Sequence, residues 1–310
     1  MIITITLNPT MDKTVELERL LVGDANRVVS SRTDPGGKGI NVSRVIRELG
    51  EESLAMGFVS GSIGRFVEAS LNEIGIRDDF IHTAGQTRTN ITIVDLAAAI
   101  HTAIDEKGPD TELRHVGELK TRLRRQIKPK DWVVIAGSAP PPLPDTTYAE
   151  LILLIHEQGA LPILDADGGL LAEGIKARPY LIKPNRQELE RLVDRDLPAS
   201  EDVVDAAHQL HQDGIAVVVV SMGKDGSIAV SAEGTWKAEP PEVEVVSAVG
   251  SGDSLVAGIV LALSKGQGLA EGLRLGTAAG AATALTPGTM LCRREDVHRL
   301  LPLVKLERLD

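Results

Sequence analysis

The sequence is poor in cysteine and in aromatic residues, and it has no excess of positive charge. It contains one cysteine, Cys292, so no disulfide can form within the chain, and this indicates a reducing compartment. We interpret Cys292 as a small buried hydrophobic residue rather than as a nucleophile. Aromatic residues make up only 2% of the chain, so the core must be built from aliphatic side chains.

The charge balance argues against several classes of partner. A net charge of −11 is unfavourable for a general nucleic-acid surface, although a few focused Lys or Arg side chains can still bind a phosphate. No stretch reaches the ~20 uninterrupted apolar residues that a membrane span needs. The segment Met1–Pro9 lacks the basic start and apolar core of a signal peptide. We therefore expect a cytoplasmic protein without nucleic-acid or membrane partners.

The middle of the chain alternates short apolar strands with helices. The predicted strands include Trp132–Ala136, Leu161–Leu164 and Ala216–Ser221, and the predicted helices include Thr146–Glu157 and Ala199–Gln212. Apolar strands separated by helices are typical of a parallel sheet that is covered on both faces. The sequence therefore predicts one α/β domain over all 310 residues.

Some early strands do not fit this alternation. The segments Val15–Leu21 and Arg27–Arg32 have mixed polarity, and Arg88–Asp95 and Ala99–Ile104 suggest a hairpin. They predict a small antiparallel sheet, formed by about residues 13–33 and 88–105, that projects from the main body. Such a sheet can cover a site as a lid or pair with a second subunit, and the two roles are compatible.

Polar clusters follow several predicted strands, at the end where open α/β sheets bind ligands. Asp12 is expected in the turn beyond the first strand, Ile2–Leu7, and Gly137-Ser138 follows Trp132–Ala136. The other two clusters are Lys183-Pro184-Asn185 and Ser221–Gly226. Each cluster alone is compatible with an ordinary polar turn, but their shared position predicts a site.

The segment Gly250-Ser251-Gly252-Asp253 precedes an apolar, helix-compatible run. Its glycines allow consecutive N–H groups to face one anion, and a helix that starts here adds its positive dipole end. Asp253 then stands beside a site for a phosphate. The alternative is that Asp253 only caps the helix.

Two other segments have both functional and purely structural interpretations. Gly36–Gly39 is neither a P-loop nor a dinucleotide fingerprint, but its backbone can approach a ligand while Lys38 and Asn41 donate hydrogen bonds. Asn185 and Glu188 have a spacing that suits water-mediated Mg²⁺ binding and equally suits a capping box. The scattered histidines complete no metal site.

Taken together, these motifs resemble the PfkB family of ribokinase-like carbohydrate kinases. The resemblance covers nearly the whole chain and rests on segments 35–44, 183–189, 220–226 and 249–258. Within the family, Leu7-Asn8-Pro9, Gly36–Gly39 and Thr87–Asn90 are most similar to the phosphosugar branch, and residues 35–44 and 301–305 to its 1-phosphofructokinases. The implied fold is a ribokinase-like three-layer α/β/α sandwich with a mainly parallel central sheet and a small β-sheet lid.

The resemblance also implies roles for individual residues. Asp253 matches the catalytic base, and Gly250, Ser251 and Gly252 match the anion hole that holds the transferring phosphoryl group. The residues that match substrate contacts are Asp12, Gly37, Lys38, Asn41, Arg88 and Ser138, with Arg88 on the phosphate that the substrate already carries. The residues that match nucleotide contacts are Lys183, Asn185, Ser221, Gly223 and Gly226. Glu188, with Asn185, matches the Mg²⁺ motif, through water.

The expected activity is ATP-dependent phosphorylation of a ketohexose phosphate, most simply fructose 1-phosphate at O6. The alternatives are a tagatose-6-phosphate kinase, a minor-type 6-phosphofructokinase, or a sugar-phosphate sensor without catalysis. The resemblance further implies ATP and Mg²⁺ as cofactors and a homodimer through the small sheets. Ala139-Pro140-Pro141-Pro142 and the long segment Val94–Ile104 depart from the family pattern.

Overall fold

The chain forms fourteen strands and ten α-helices, which a computed structural model describes over residues 1–310. The strands are β1 (Ile2–Thr6), β2 (Thr10–Leu17), β3 (Val28–Gly36), β4 (Leu54–Ser60), β5 (Arg77–Thr83), β6 (Arg88–Asp95), β7 (Ile100–Ile104), β8 (Trp132–Ala136), β9 (Leu161–Asp165), β10 (Leu181–Ile182), β11 (Val217–Ser221), β12 (Ser227–Ser231), β13 (Gly234–Glu239) and β14 (Lys305–Arg308). The helices are α1 (Lys38–Glu48), α2 (Gly61–Glu73), α3 (Leu113–Gln126), α4 (Thr147–Glu157), α5 (Gly168–Gly174), α6 (Arg186–Val193), α7 (Ser200–Gln212), α8 (Ser251–Ser264), α9 (Leu269–Ala284) and α10 (Arg294–Leu300). None of these helices is long and apolar enough to cross a lipid bilayer.

The large sheet has ten strands in the order β14-β13-β12-β11-β10-β9-β8-β1-β4-β5. Strands β11 through β5 in this order are parallel, whereas β12, β13 and β14 extend the sheet as antiparallel strands. The prediction of a mainly parallel central sheet is therefore confirmed. Because the parallel strands share one direction, the loops that follow them meet at one edge.

Helices cover both faces of the large sheet, as the apolar strands require. Along β1, Ile3 and Ile5 belong to the aliphatic cluster that also contains residues of α3, α4, α5, α6 and α7. Ile2 belongs to the opposite cluster, with residues of α1, α8, α9 and α10. This alternation follows from the two-residue period of a strand, and it confirms the three-layer architecture.

The small sheet has four strands in the order β3-β2-β6-β7. The prediction that it is antiparallel is wrong for its central pair, since β2 and β6 are parallel. Both strands continue from the same edge of the large sheet, β2 after β1 and β6 after β5, so the chain enters the small sheet twice in one direction. Asp12, which we expected in a turn, lies within β2, where it pairs with Asp34 and Asn90 on its two sides.

Helices α8 and α9 pack with almost no side chain between them at one point. A Cβ atom on Gly258 would lie 2.5 Å from the Cα atom of Gly276. Residues 253–262 of α8 are all buried, so this helix is fixed against both the sheet and α9. The helix that begins at the predicted phosphate segment is thus part of the core.

Candidate functional site

A cleft of about 400 Å³ opens at the carboxyl edge of the large sheet, beneath the small sheet. Eight of the residues singled out in the sequence line it: Asp12, Gly37, Lys38, Asn41, Arg88, Ser138, Glu188 and Asp253. The other eight do not line it: Gly250, Ser251, Gly252, Lys183, Asn185, Ser221, Gly223 and Gly226. The structure therefore brings the expected sugar contacts and the expected base together in one cavity.

The start of α8 forms one wall of the site. Gly250 precedes the helix with φ of 79°, a left-handed conformation that glycine adopts without strain. Asp253 lies in the first turn and makes no capping hydrogen bond, so the alternative that it caps the helix is wrong. Its carboxylate instead accepts a hydrogen bond of 2.8 Å from Nδ2 of Asn41.

The protein environment of Asp253 stabilises its protonated form relative to the same group in water, so its pKa is raised. Burial and the nearby Asp165 carboxylate raise the pKa of Asp253 from 3.8 to about 7, although Asn41, Lys38 and Lys183 oppose the shift. A carboxylate with a pKa close to neutrality can both accept and release a proton efficiently. The geometry therefore suits Asp253 for general-base chemistry.

Asp165, at the end of β9, connects the two lysines of the site. Its Oδ1 atom lies 2.9 Å from Nζ of Lys38 and 3.4 Å from Nζ of Lys183, and the residue is fully buried. Burial alone would raise the pKa of Asp165, but Lys183 and Lys38 hold it below its usual range. Sequence reasoning missed Asp165, although its position directly after an apolar strand was the same signal that marked the other clusters.

Lys183 is also next to the predicted anion hole. A Cβ atom on Gly252 would lie 3.5 Å from Nζ of Lys183, so the ammonium group faces the first turn of α8. Burial lowers the pKa of Lys38, but the carboxylates of Asp165, Glu188 and Asp253 together raise it above its usual range. The Lys183 side chain thus lies near the place where the helix N-terminus attracts an anion.

Arg88 and Asp12 line the same cleft from β6 and β2 of the small sheet. Nε and Nη2 of Arg88 donate to the backbone oxygen of Asn8, and Nη1 donates to the backbone oxygen of Glu106. Burial raises the pKa of Asp12 to about 6, with Thr10 and Arg88 opposing the shift. These contacts hold the Arg88 guanidinium group in the same cleft as Asp253.

Asn8, which closes β1, was not recognised as a site residue. Its Nδ2 atom donates to the backbone oxygen of Lys107 at 2.9 Å and to Oγ of Ser138 at 3.2 Å. The hydroxyl of Tyr148, also missed, donates to the backbone oxygens of Gly137 and Ser138. These buried side chains fix the loop that carries Ser138. Asn8 lies in the Leu7-Asn8-Pro9 segment that resembles the phosphosugar branch but was given no role, and no sequence pattern distinguished Tyr148.

The expected nucleotide residues lie along the ends of β10 and β11. Asn185 and Ser221 form an isolated parallel bridge, which joins the two strand ends. The next turn contains Gly223 and Gly226, with φ of 60° and 88°. Ser221, Gly223 and Gly226 therefore share one loop beside Lys183, although they do not reach into the cleft.

Asn185 and Glu188 form the capping box. The Asn185 side chain accepts from the Glu188 N–H at 2.8 Å, and Oε2 of Glu188 accepts from the Asn185 N–H at 2.8 Å. Glu188 still lines the cleft, and its Oε1 atom lies 4.0 Å from Nζ of Lys38. The capping interpretation is correct, and it leaves one carboxylate oxygen of Glu188 available.

The residues present fit a nucleotide-bound Mg²⁺ ion better than a protein-held metal. No group of three or more His, Cys, Asp or Glu residues is arranged to hold a metal. Mg²⁺ usually keeps several waters and takes one or two carboxylates together with substrate phosphates. Glu188 satisfies that requirement directly or through water.

Comparisons with known proteins agree with this geometry. The family model described as pfkB family carbohydrate kinase matches residues 5–296. The chain is similar to 1-phosphofructokinase of Bacillus subtilis, at 36% identity over all of both chains, and to tagatose-6-phosphate kinase of Staphylococcus epidermidis, at 36% identity over 93% of this chain and 94% of that protein.

Solved structures agree as well. Phosphofructokinase-2 of Escherichia coli, at 30% identity, superimposes with TM-scores of 0.93 for a complex with substrates and products and 0.92 for a tetrameric inhibited form. Each match covers 97% of this chain and 98% of the other. The prediction of a ribokinase-like fold is confirmed by these superpositions, and the chain belongs to the pfkB family of carbohydrate kinases.

Proposed function

We propose that this protein transfers the γ-phosphoryl group of ATP to O6 of fructose 1-phosphate. The observation that carries the proposal is the buried Asp253 carboxylate, which shares one cleft with the guanidinium of Arg88. One group suits proton removal from a sugar hydroxyl, and the other suits a phosphate that the sugar already carries.

Asp253 acts as the general base in this proposal. It accepts the proton of the attacking hydroxyl while Asn41 donates to its other side, so the carboxylate stays oriented. The N–H groups of Gly250, Ser251 and Gly252 at the start of α8 receive the negative charge of the transferring phosphoryl group. Phosphoryl transfer needs mainly this positioning and charge stabilisation, which the first turn of a buried helix provides.

Lys38 and Lys183 place two positive charges between the sugar and nucleotide halves of the site. Asp12, Gly37 and Ser138 contact the sugar. Asn185, Ser221, Gly223 and Gly226 hold the nucleotide along the ends of β10 and β11. Glu188 holds Mg²⁺, which neutralises charge on the nucleotide phosphates when it is bound.

The substrate assignment is supported by the names of the relatives. Several are 1-phosphofructokinases, and tagatose-6-phosphate kinase is equally similar in identity. Fructose 1-phosphate, tagatose 6-phosphate and fructose 6-phosphate each carry one phosphate and a distant primary hydroxyl. The same cleft serves all three, so tagatose 6-phosphate is the second candidate.

The test is ADP release by the purified protein with ATP, Mg²⁺ and these three sugar phosphates, and with free fructose. We expect the highest kcat/KM with fructose 1-phosphate. An Asp253→Asn variant should fold normally and lose at least ~10²-fold in turnover, the usual contribution of a general base. Sugar-phosphate binding without any ADP release would instead identify a sensor, and turnover near wild type in the variant would refute the base.

We also propose a cytoplasmic homodimer that forms through the small sheet. Its edge strands expose apolar side chains, among them Val28, Val29, Ile100 and Ile104, which are each at least half exposed. The single buried cysteine fits a reducing compartment. Light scattering should show dimers for the wild type and monomers for a variant that carries both Val29→Glu and Ile104→Glu. A wild-type tetramer, the form described for the Escherichia coli relative, would contradict the proposed dimer.

A further inference from the structure

A chain of hydrogen bonds connects the small sheet to the Asp253 carboxylate. Nε and Nη2 of Arg32, on β3, donate to Asp34 at 2.8 and 2.9 Å. Nη2 of Arg44, on α1, donates to the same carboxylate at 3.3 Å, and its Nη1 atom lies 3.3 Å from Oδ1 of Asn41. Nδ2 of Asn41 then donates to Asp253 at 2.8 Å.

The contact between Arg44 and Asn41 decides which way the Asn41 amide faces. An arginine side chain only donates hydrogen bonds, so the Asn41 atom beside Nη1 must be the oxygen. The nitrogen of the same amide must then face Asp253, whichever orientation is assigned to the group at first. Arg44 therefore selects the orientation in which Asn41 donates to the carboxylate.

Arg44 is itself held in place from several sides. Its side chain is only 12% exposed, and its Nη1 atom also donates to the backbone oxygen of Pro35 at 3.0 Å. Asp34 is buried, and beside its arginine partners it accepts a hydrogen bond of 3.1 Å from Thr289. Asp34 and Arg44 form the buried part of this network, and a buried network with several partners rigidifies the groups at its end.

We propose that Arg44, held by Asp34, is a positioning residue that fixes the Asn41 amide so that it donates to Asp253. The proposal rests on the function proposed for Asp253, since the orientation of Asn41 matters only if that carboxylate must be ionised to work. Arg44 contacts neither the base nor the anion hole, and it acts through Asn41.

Removal of Arg44 lets the amide rotate. A rotated Asn41 presents Oδ1 to Asp253, and that oxygen can only pair with the protonated acid. The acid form gains a partner that it lacks in the wild type, so the pKa of Asp253 rises. The other charged groups that act on Asp253, namely Lys38, Lys183 and Asp165, are held to one another and stay in place. Arg44 also lowers the pKa of Asp12 on β2, so the effect of Arg44→Ala is measured in an Asp12→Asn background as well, where Asp12 cannot move the acid limb.

The experiment compares pH–rate profiles of Arg44→Ala, Arg44→Lys and Arg47→Ala. We expect the acid limb of kcat/KM for the sugar phosphate to move upward by about 0.4 to 1 pH unit in Arg44→Ala, the equivalent of one hydrogen bond. Turnover should then fall several-fold near pH 7 and recover toward pH 9. The KM for ATP should not change.

Arg47→Ala is the matched control, since Arg47 lies on the same helix, is exposed and donates only to the backbone oxygen of Ile74. It should keep the wild-type profile. Arg44→Lys keeps a donor for Asn41 and should recover part of the shift. Asp34→Asn removes the carboxylate that holds Arg44 but keeps Arg44 itself, and it should move the acid limb in the same direction. This variant tests the proposal if Arg44→Ala does not fold.

The proposal is overturned if Arg44→Ala lowers activity equally at every pH or leaves the acid limb unmoved. Where Arg44→Ala does not fold, either of these results with Asp34→Asn overturns it. The Asp253→Asn variant separates this failure from that of the proposed function. If Asp253→Asn is inactive while the Arg44 and Asp34 variants keep the wild-type limb, only the positioning role is wrong. If Asp253→Asn keeps its turnover, the base itself is wrong and the positioning role falls with it.

Discussion

The raised pKa of Asp253 makes the stability of the protein depend on pH in a way that an Asp253→Asn variant removes. In the unfolded chain this carboxyl titrates near 3.8, whereas in the folded protein it titrates near 7. Between these values the folded state binds one proton more than the unfolded state, so the free energy of unfolding falls as the pH rises. Above about pH 7 both states are ionised and the loss is complete.

The size of the effect follows from the shift. Each pH unit in this window costs about 1.4 kcal/mol, so the wild type loses about 2 kcal/mol relative to Asp253→Asn between pH 5.5 and pH 8. The unfolding entropy of a chain this long is roughly 0.65 kcal/mol/K near 60 °C, which converts the loss to about 3 °C in melting temperature. The melting temperature of the Asp253→Asn variant should therefore rise relative to that of the wild type as the pH rises.

The assay is thermal unfolding of both proteins at half-unit steps from pH 5 to pH 8.5, without nucleotide or sugar. Subtraction of the two curves cancels every group that titrates alike in both proteins, and leaves the contribution of Asp253. A difference in melting temperature that stays constant across this range would show that Asp253 titrates at its ordinary pKa, and the account of the base given above would be wrong.

Three substitutions test other parts of the structure. Gly258→Ala should lower the unfolding free energy by about 1 to 3 kcal/mol, because the methyl group meets the backbone of α9. The control is Gly117→Ala in α3, where an added Cβ atom has no neighbour within 4 Å, and this change should be neutral or stabilising. Equal effects of the two substitutions in denaturant titrations would contradict the packing argument. Asp165→Asn leaves Lys183 buried without its counter-charge and should cost about 3 to 5 kcal/mol in the same titrations, whereas an effect below 1 kcal/mol would show that the pair is not tight. Arg88→Ala should raise the KM for the sugar phosphate roughly tenfold or more with little change in the KM for ATP, and an unchanged sugar-phosphate KM in steady-state kinetics would remove Arg88 from the substrate site.

The sequence predicts the architecture and much of the cleft, because both depend on local patterns. Apolar strands separated by helices leave few alternatives to a covered parallel sheet, and polar residues at strand ends must then meet at one edge. The sequence predicts a strand from Val15, but the extension of β2 back to Thr10, which includes Asp12, was not predictable in this way, since it depends on pairing with β3 and β6. The parallel pair in the small sheet has the same cause.

The residues that support the site were harder to predict than those that line it. Asp165 follows an apolar strand and carried a usable signal, but the contacts of Asn8, Asp34 and Asn41 include partners far away in the sequence. Asn8 meets Lys107 and Ser138, 99 and 130 residues further on. Asp34 meets Thr289, 255 residues further on, and Asn41 meets Asp253, 212 residues further on. Contacts at such separations leave no periodic trace, so only the folded structure shows them.

The burial of α8 affects how fast its amide hydrogens exchange with solvent, compared with those of the small sheet. Residues 254–262 are buried in an unbroken run and follow the first i−4 hydrogen bond of the helix, so their amides are expected to exchange only when the whole domain unfolds. Strand β7 and the first six residues of β3 are exposed, and their amides exchange through small local openings. The base thus lies at the start of the slowest-exchanging helix, and Arg88 belongs to a sheet with exposed edge strands. A ligand that contacts both should add protection in the small sheet and at the unpaired amides of the first turn of α8, and little in the rest of that helix.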